Sequence, residues 1–241
     1  MNLRCTKPGK TMQFDDKYSI APEGSSQVTG RECFATFSQL PSGVDTYPDS
    51  SFWSAASPVF AACDTHGQFV PGHSTEIRVR WTIHDLYFLF TCSYIELNLK
   101  PSPQVESETN ELWNWDVAEV FIGADFSNIR KYKEFEISPQ GEWVDLDIDL
   151  DREHPEDGWA WTSDCLAAAR IDPSQKTWYG FIRIPYSAID DRPAAPGNLL
   201  RVNFFRGQGP EPNHREIAWQ PTHSATFHVP EWFGELNLVD L

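Results

Sequence analysis

The chain has 241 residues, of which 40% are hydrophobic and 14% aromatic, so it carries enough apolar surface for a packed core and is not a disordered chain. Its 19 Lys and Arg residues stand against 35 Asp and Glu residues, which gives a formal net charge of −16. Such a surface repels phosphate groups, which excludes nucleic acid and anionic lipid as expected partners. Neutral ligands and cations remain compatible with it.

The sequence contains no apolar run of the length that a signal peptide or a membrane-spanning helix requires. We therefore expect a soluble protein with no membrane partner, cytoplasmic as the sequence stands, or secreted or periplasmic if a signal peptide has been removed. The five cysteines are widely spaced and form no CxxC pair, so they specify neither a disulfide framework nor a zinc site. We interpret most of them as small buried hydrophobic side chains.

Two regions are predicted along the chain. Residues 1–30 mix Pro, Gly, Ser and Lys with few periodic apolar positions, and we interpret them as an extended lead-in. Residues 31–241 are expected to form one domain, because β-sandwiches often exceed 200 residues around a single core.

Short runs of β-branched and aromatic residues, separated by Pro, Gly, Asp and Asn, predict strands joined by turns. The clearest are Arg31 to Leu40, Glu76 to Trp81, Leu86 to Tyr94, Val117 to Ile122, Tyr132 to Ser138, Trp143 to Leu150, Leu166 to Ile171, Trp178 to Ile184, Leu200 to Arg206 and Glu235 to Val239. No sustained helical period is present, and Tyr186 to Ile189 is predicted to be one helical turn at most. The pattern predicts an all-β fold, a single antiparallel β-sandwich.

Individual strands differ in their apolar pattern. Lys133 to Ile137 alternates charged and apolar residues, which predicts a strand that is wet on one face. Leu86 to Phe90 is apolar throughout, which is typical of a central strand covered on both sides. Two packed sheets would provide both environments.

The polar segment from Lys100 to Trp115 is the longest insertion between good strands, and long loops often carry binding residues. It ends in Trp113-Asn114-Trp115-Asp116. The apolar face of a tryptophan suits the C–H face of a sugar ring, while neighbouring amides and carboxylates can bind its hydroxyl groups. The alternative is that these indoles cap the end of the core.

Glu119 shares a strand face with apolar neighbours, so its carboxylate is expected to be partly buried. A buried acid needs a partner. One interpretation is a structural ion pair with Arg183, Arg201 or Arg206. The other is a carboxylate that accepts hydrogen bonds from sugar hydroxyls.

Two further segments allow more than one interpretation. The alternating acids from Asp145 to Asp151 lie about 6.6 Å apart along a strand, which favours a solvated edge face, with a Ca²⁺ site completed by a crossing loop as the alternative. The aromatic stretches 215–222 and 226–234 could form a second wall of a ligand cleft or a loop that closes the core. No histidine pair has a metal-ligand spacing.

Known catalytic sequence signatures are absent: there is no GxSxG, P-loop or GxGxxG motif. Asp and Glu are abundant enough to supply a glycosidase pair, but a sequence cannot show their separation. We therefore expect no enzyme.

From Trp53 to Leu238, roughly three quarters of the chain, the sequence resembles the family 9 carbohydrate-binding modules and their relatives in the order of several short motifs. These motifs are Trp53, Ile77 to Trp81, Leu86 to Phe88, Leu112 to Ile122, Tyr132 to Gly141, Gly180 to Pro185, Val202 to Phe204, Ala218-Trp219 and Phe233 to Leu236. The resemblance implies a jelly-roll-like β-sandwich that holds a small sugar or a polysaccharide chain end between two tryptophan faces, in support of polysaccharide degradation.

The resemblance also implies site residues. The first clamp tryptophan falls on Trp113 and a hydroxyl-binding glutamate on Glu119, with Asn114 beside them. The second clamp position falls on Phe227 instead of tryptophan, and a family aspartate falls near Tyr94. A basic ligand in the following strand becomes Glu136, so the resemblance implies a site adapted to another sugar or one that no longer binds sugar.

No cofactor is expected to be required, although the resemblance allows structural Ca²⁺. Related sandwich domains bind haem through an axial methionine, but the only methionines here are Met1 and Met12, both in the lead-in. The leading hypothesis is non-catalytic carbohydrate binding. The alternatives are a glycoside hydrolase-like enzyme and a protein-interaction sandwich whose exposed aromatics form a partner patch. The sequence does not specify the sugar or the oligomeric state.

Overall fold

The computed structural model describes residues 30–39, 41, 43–152 and 159–240, and in this part the fold is all-β. Its strands are β1 (Glu32–Phe37), β2 (Val59–Ala61), β3 (Thr75–Trp81), β4 (Asp85–Ser93), β5 (Val117–Gly123), β6 (Lys131–Ile137), β7 (Trp143–Asp149), β8 (Leu166–Asp172), β9 (Thr177–Pro185), β10 (Leu199–Gln208), β11 (Arg215–Ala218) and β12 (Gly234–Val239). Single 3₁₀ turns lie at Trp53–Ala55, Leu112–Asn114, Tyr186–Ala188 and Pro230–Trp232. The predicted lead-in, Met1, Met12 and Cys5 fall outside the described residues, except for Gly30.

The strands are joined by hydrogen bonds in the order β7-β6-β5-β10-β12-β1-β3-β4-β9-β8, with β11 beside β10 and β2 beside β3. Most neighbours are antiparallel, as predicted. The prediction was wrong for β1, which runs parallel to both β12 and β3. Because β1 joins the two halves of the path, chain segments far apart in sequence meet there.

All ten predicted strand segments contain strands, and the predicted helical turn is the 3₁₀ turn at Tyr186–Ala188. Sequence patterning missed β2 and β11, which have only three and four residues. Runs of that length are too short to show a period-two pattern, so only their pairing partners define them as strands.

The main core lies between strands that are distant in the sheet order. Phe88 and Phe90 of β4 contact Phe204 of β10, with ring centroids 6.1 and 6.3 Å apart. Since three other strands separate β4 from β10 in the sheet order, the sheet must curl back on itself.

The central-strand prediction for β4 is confirmed. Leu86, Phe88 and Phe90 pack into the main core, whereas Tyr87 and Leu89 are buried on the opposite face beside Trp53 and Phe181. Both faces of β4 are therefore dry, which explains its continuous apolar run.

The wet face predicted for β6 is wrong. Phe135 and Ile137 enter the main core, as the alternation requires, but Glu134 and Glu136 on the other face are also buried. That face is covered by the 226–234 segment: the Tyr132 hydroxyl lies 2.6 Å from His228 Nδ1, and the Tyr132 ring packs edge-on against Phe233. A charge alternation alone could not reveal this cover, because it comes from a segment about 90 residues further along the chain.

The acidic run of β7 divides in two. Asp147 pairs with Lys133 at 2.6 Å, and Asp149 pairs with Lys131 at 3.1 Å, which agrees with a solvated strand edge. Asp145 departs from that prediction, because it is buried and accepts a hydrogen bond from the Ser163 backbone N–H at 2.9 Å. In the described part of the chain, no group of three or more His, Cys, Asp or Glu side chains is arranged to hold a metal ion. Structural Ca²⁺ stays a prediction.

Cys33, Cys63, Cys92 and Cys165, the four cysteines within the described ranges, are free thiols. Cys33 and Cys92 are buried, and the other two are half-buried. Burial raises the pKa of the Cys92 thiol to about 11, so it remains neutral at physiological pH. No helix within residues 30–39, 41, 43–152 and 159–240 is long and apolar enough to cross a membrane.

Candidate functional site

A cavity of about 430 Å³ lies on the face of β5, β6 and β7 that points away from the main core. We call it the Trp113 cavity; it is lined by Trp113, Glu119, Phe121, Glu134, Leu146, Ile148, Trp159, Glu216, Ala225, Thr226, Phe227 and His228. Its volume lies in the range of small-molecule sites, and its lining combines aromatic walls with a few polar groups.

Trp113 lies at the edge of this cavity on the 3₁₀ turn Leu112–Asn114. Leu112 is fully buried and anchors the turn, and its carbonyl accepts a hydrogen bond from the Trp115 N–H at 3.0 Å. The Trp113 side chain remains 42% exposed. The turn thus holds an indole at the surface beside a concave site, although tryptophan normally favours burial.

Asp116 fixes the junction between this turn and β5. Its carboxylate accepts hydrogen bonds from the Gly209 N–H at 2.5 Å and from Gln208 Nε2 at 3.0 Å. Gln208 Oε1 in turn accepts a hydrogen bond from Arg206, whose guanidinium also donates to the Ser93 carbonyl at 2.7 Å. This buried network determines where β5 begins and therefore where Trp113 and Glu119 lie.

The ion pair considered for Glu119 is wrong. Arg206 belongs to the Asp116 network, Arg201 donates to the backbone carbonyls of residues 125, 129 and 131, and Arg183 lies 3.7 Å from Asp85. None of the ion pairs among the described residues includes Glu119. Its carboxyl faces the cavity instead.

Three carboxyl groups cluster beneath the cavity. Glu119 of β5 is directly opposite Glu136 of β6, and Glu134 lies two residues before Glu136 on the same face. All three are buried, and Glu134 Oε2 and both oxygens of Glu136 receive no hydrogen bond from a donor outside the acid cluster among the described residues, whereas Glu134 and Glu136 can share a hydrogen bond with each other when one of them is protonated. Glu119 and Glu134 line the cavity, whereas Glu136 lies beside Glu119 on the neighbouring strand and outside the cavity lining.

Burial raises the pKa of all three groups. Desolvation is the largest cause in each case. Repulsion from neighbouring carboxylates raises the pKa of Glu119 and Glu136 further, whereas a hydrogen bond with Glu136 partly offsets the rise for Glu134. The pKa of Glu134 rises to about 7, and those of Glu119 and Glu136 rise well above their ordinary value. The cluster therefore holds protons at neutral pH and can donate as well as accept hydrogen bonds.

Phe227 forms another wall of the cavity and is half-buried. Its ring stacks on Phe205 with centroids 4.2 Å apart and an interplanar angle of 12°. One ring face is thus occupied by Phe205, and only the opposite face and the edge can meet a ligand. The 226–234 stretch contributes both to the cavity wall and to the apolar cluster beneath it. It therefore helps to close the core, and its role in a ligand cleft stays a prediction.

Three of the five predicted site residues, Trp113, Glu119 and Phe227, line the same cavity. Tyr94 does not: it is buried in the main core, and Lys176 lies 5.4 Å from its ring. Asn114 is exposed on the 3₁₀ turn and lies outside the cavity lining.

Sequence reasoning missed Glu134, Trp159 and His228 as cavity residues. Glu134 was assigned to a wet face, although its pairing with Phe121 on β5 gives it the same surroundings as Glu119. Trp159 has a positive φ of 65°, and its carbonyl accepts a hydrogen bond from the Asp147 N–H at 3.0 Å, which holds it beside β7. His228 has no metal-ligand spacing in the sequence, and its place in the wall follows from its contacts with Tyr132, Phe121 and Trp159 in the structure.

Comparison with solved structures identifies the fold. A family 9 carbohydrate-binding module from Caldicellulosiruptor kristjanssonii, solved with cellotriose, matches with a TM-score of 0.64 at 13% identity, over 87% of this chain and 94% of that one. The same kind of module in complex with glucose matches with a TM-score of 0.63 at 12% identity, over 87% and 96% of the two chains. A Bacteroides uniformis protein proposed to bind carbohydrate gives a TM-score of 0.66 at 13% identity, over 87% of this chain and all of that one.

These likenesses show that the chain has the fold of the family 9 carbohydrate-binding modules. Among curated proteins, one described as an extracellular protein of Arthroderma benhamiae is 25% identical over 143 residues. That match covers 54% of this chain and 64% of the relative's length. No protein-family model matches the chain.

Proposed function

We propose that this domain binds carbohydrate and that the Trp113 cavity is the binding site. The observation that carries the proposal is the convergence of an exposed indole, a second aromatic wall and buried carboxyl groups on one cavity of about 430 Å³. Structural neighbours with the same fold were solved with cellotriose and glucose, which supports the assignment.

In this proposal the aromatic side chains provide apolar contact. The exposed face of Trp113 covers the C–H face of a sugar ring, and the free side of Phe227 limits the ring from another direction. Glu119 and Glu134 bind hydroxyl groups at the base of the cavity, where a protonated carboxyl can donate and an ionised one can accept. Glu216 is exposed at the edge of the cavity and can bind hydroxyl groups nearer the solvent.

The site can extend beyond one sugar ring. A second depression lined by Asp64, His66 and His214 shares Glu216 and Ala225 with the Trp113 cavity. A ligand whose first ring occupies the cavity can therefore continue across Glu216 into this depression. We infer a preference for chain ends of oligosaccharides, in support of polysaccharide degradation.

The remaining assignments follow from the same proposal. We infer that the curled sheet forms a jelly-roll-like β-sandwich, because β4 and β10 pack face to face across the core. We infer that binding is not followed by chemistry on the sugar. The protein is proposed to act where polysaccharides are degraded, in the extracellular space or the periplasm.

A thermal-shift screen tests the proposal. Soluble mono- and oligosaccharides, including glucose and cellotriose, should raise the melting temperature in a concentration-dependent manner, because a ligand that binds only the folded state stabilises it by mass action. The same sugars should not stabilise the Glu119→Gln Trp113→Ala double variant. A broad glycan panel that leaves the melting temperature of the wild-type protein unchanged would reject the proposal.

A further inference from the structure

The charge of the Trp113 cavity is unbalanced. Its lining includes Glu119, Glu134 and Glu216, and Glu136 lies beside Glu119 on the neighbouring strand. Neither Lys nor Arg occurs among the described residues that line it, and His228 is its only basic side chain. Neutral amides can bind sugar hydroxyls as well as carboxyl groups can, so an excess of acid with no Lys or Arg favours a ligand that carries positive charge.

The buried oxygens of the cluster require a donor. Glu134 is 4% exposed and Glu136 is 1% exposed, and three of their four carboxyl oxygens receive no hydrogen bond from outside the acid cluster among the described residues, so only a proton shared between the two acids can pair them. Leaving such groups unpaired costs free energy, and ionising them without a cation costs more. A shared proton satisfies part of the cluster, and a ligand that brings further donors to Glu134 can satisfy the remaining oxygens.

We propose that the Trp113 cavity selects a sugar that bears a protonated amine, a hexosamine at a chain end or free, over the corresponding neutral sugar. This inference rests on the proposed carbohydrate-binding function and specifies the substrate class of the same site. An ammonium group supplies three hydrogen-bond donors and a positive charge, so it both satisfies and neutralises the carboxylates. A hydroxyl group can donate only one hydrogen bond and carries no charge.

The aromatic wall and the whole-chain charge act in the same direction. An ammonium group near the face of Trp113 gains cation–π attraction in addition to its contacts with the carboxylates. The net charge of −16 raises the local concentration of cationic ligands at the surface. Neutral sugars gain neither effect.

Amine binding should be coupled to proton release. Glu134 lies on the same face of the sheet as Glu119 and Glu136, and Glu216, His228 and Tyr132 lie around it. Because the acids retain protons in the empty site, an arriving ammonium group must displace at least part of them. Affinity for the amine should therefore increase as the pH rises from 5 towards 7.

Isothermal titration calorimetry with D-glucosamine, D-glucose and N-acetyl-D-glucosamine tests the inference. At pH 6.5, glucosamine should bind at least tenfold more tightly than glucose and N-acetylglucosamine. Its observed enthalpy should differ between two buffers of unlike ionisation enthalpy, as proton release requires. Equal affinity for glucose and glucosamine would overturn the inference and leave carbohydrate binding intact, whereas no binding of any of these sugars, or of their oligomers, would reject both.

Variants locate the effect. Glu134→Gln should reduce the affinity for glucosamine by more than it reduces the affinity for glucose. Glu216→Gln should reduce the affinity for glucosamine in the same selective way but by a smaller factor, and because Glu216 is exposed, this substitution should not affect folding. Glu32→Gln removes an exposed carboxylate of β1 outside the cavity and should leave the preference unchanged. The inference would be contradicted if both cavity variants still bound glucosamine more tightly than glucose. It would also be contradicted if ammonium chloride or CaCl₂, at the same concentration as glucosamine, gave the same binding signal as glucosamine.

Discussion

Glu119 and Glu136 occupy directly opposite positions on β5 and β6, and both side chains are buried. Like charges facing each other across an antiparallel pair destabilise a sheet, so two ionised carboxylates cannot both persist there. Protonation relieves the repulsion, and it explains why the sheet tolerates three acids on one covered face. The same protons become available for exchange when a ligand enters.

The first prediction concerns the pH dependence of stability. Glu134 has a folded-state pKa of about 7 against an ordinary 4.5. Between these two pH values the folded state binds more protons than the unfolded state, so the free energy of unfolding falls as the pH rises. One pKa unit corresponds to about 1.4 kcal/mol, so the loss from Glu134 is on the order of 3 kcal/mol. Between pH 5 and 8, urea denaturation should show a smaller decrease in the free energy of unfolding for Glu134→Gln than for wild type.

His73 acts in the opposite sense, because its pKa is lowered by burial and its protonation destabilises the fold at acidic pH. The quantity to compare is therefore the difference in the free energy of unfolding between wild type and Glu134→Gln at each pH. The contribution of His73 is the same in both proteins and cancels from this difference. Parallel stability curves for the two proteins would show that Glu134 does not hold a proton in the folded state.

The second prediction concerns the buried network at the start of β5. In Asp116→Asn, one of the two acceptors for Gly209 and Gln208 becomes an amide donor, and the Arg206 guanidinium loses its nearby negative charge. Loss of one partner from a buried charged network costs about 3–5 kcal/mol. Chemical denaturation should report this loss, whereas Asp240→Asn, at an exposed position, should change stability by less than about 0.5 kcal/mol. Equal effects of the two substitutions would show that the network does not fix β5.

The third prediction concerns the close approach at Gly234, the first residue of β12. A Cβ atom at this position would collide with the backbone oxygen of Arg31 and lie 2.5 Å from the Trp219 ring. Gly234→Ala should therefore destabilise the fold by about 1–3 kcal/mol or more, as overpacking does. Thermal denaturation provides the measurement, with Gly43→Ala as the control, because its Cβ would meet no atom within 4 Å. A Gly234→Ala protein as stable as wild type would contradict the packing of β1 against β12.

The sequence predicts the strands well and the site only in part, for physical reasons that particular residues make clear. The long strands show a period of two or a continuous apolar run, and each is present. Trp113 and Glu119 could be found because an aromatic residue at a loop end and an acid on an apolar strand face have recognisable chemistry, whereas Phe227 was found only through the family resemblance. Tyr94 could not be excluded, since a tyrosine at a strand end can be buried or exposed with the same local pattern.

The burial of Glu119, Glu134 and Glu136 as one cluster could not be predicted without the tertiary structure. Nothing in Lys133 to Ile137 distinguishes a solvated acidic face from one covered by a distant segment, and the cover here is supplied by residues beyond Thr226. The parallel pairing of β1 has a similar origin, because pairing direction depends on where the chain returns and not on the strand's own residues.

The central claim is that the Trp113 cavity binds sugar through its exposed indole. Trp113→Ala and Trp232→Ala form a matched pair, because these side chains are 42% and 39% exposed and only Trp113 lines the cavity. The decisive measurement is a calorimetric titration of both variants and wild type with glucosamine, glucose and their short oligomers. We expect binding by wild type and Trp232→Ala, and at least a tenfold loss of affinity in a folded Trp113→Ala. Equal affinity in all three proteins would contradict the account.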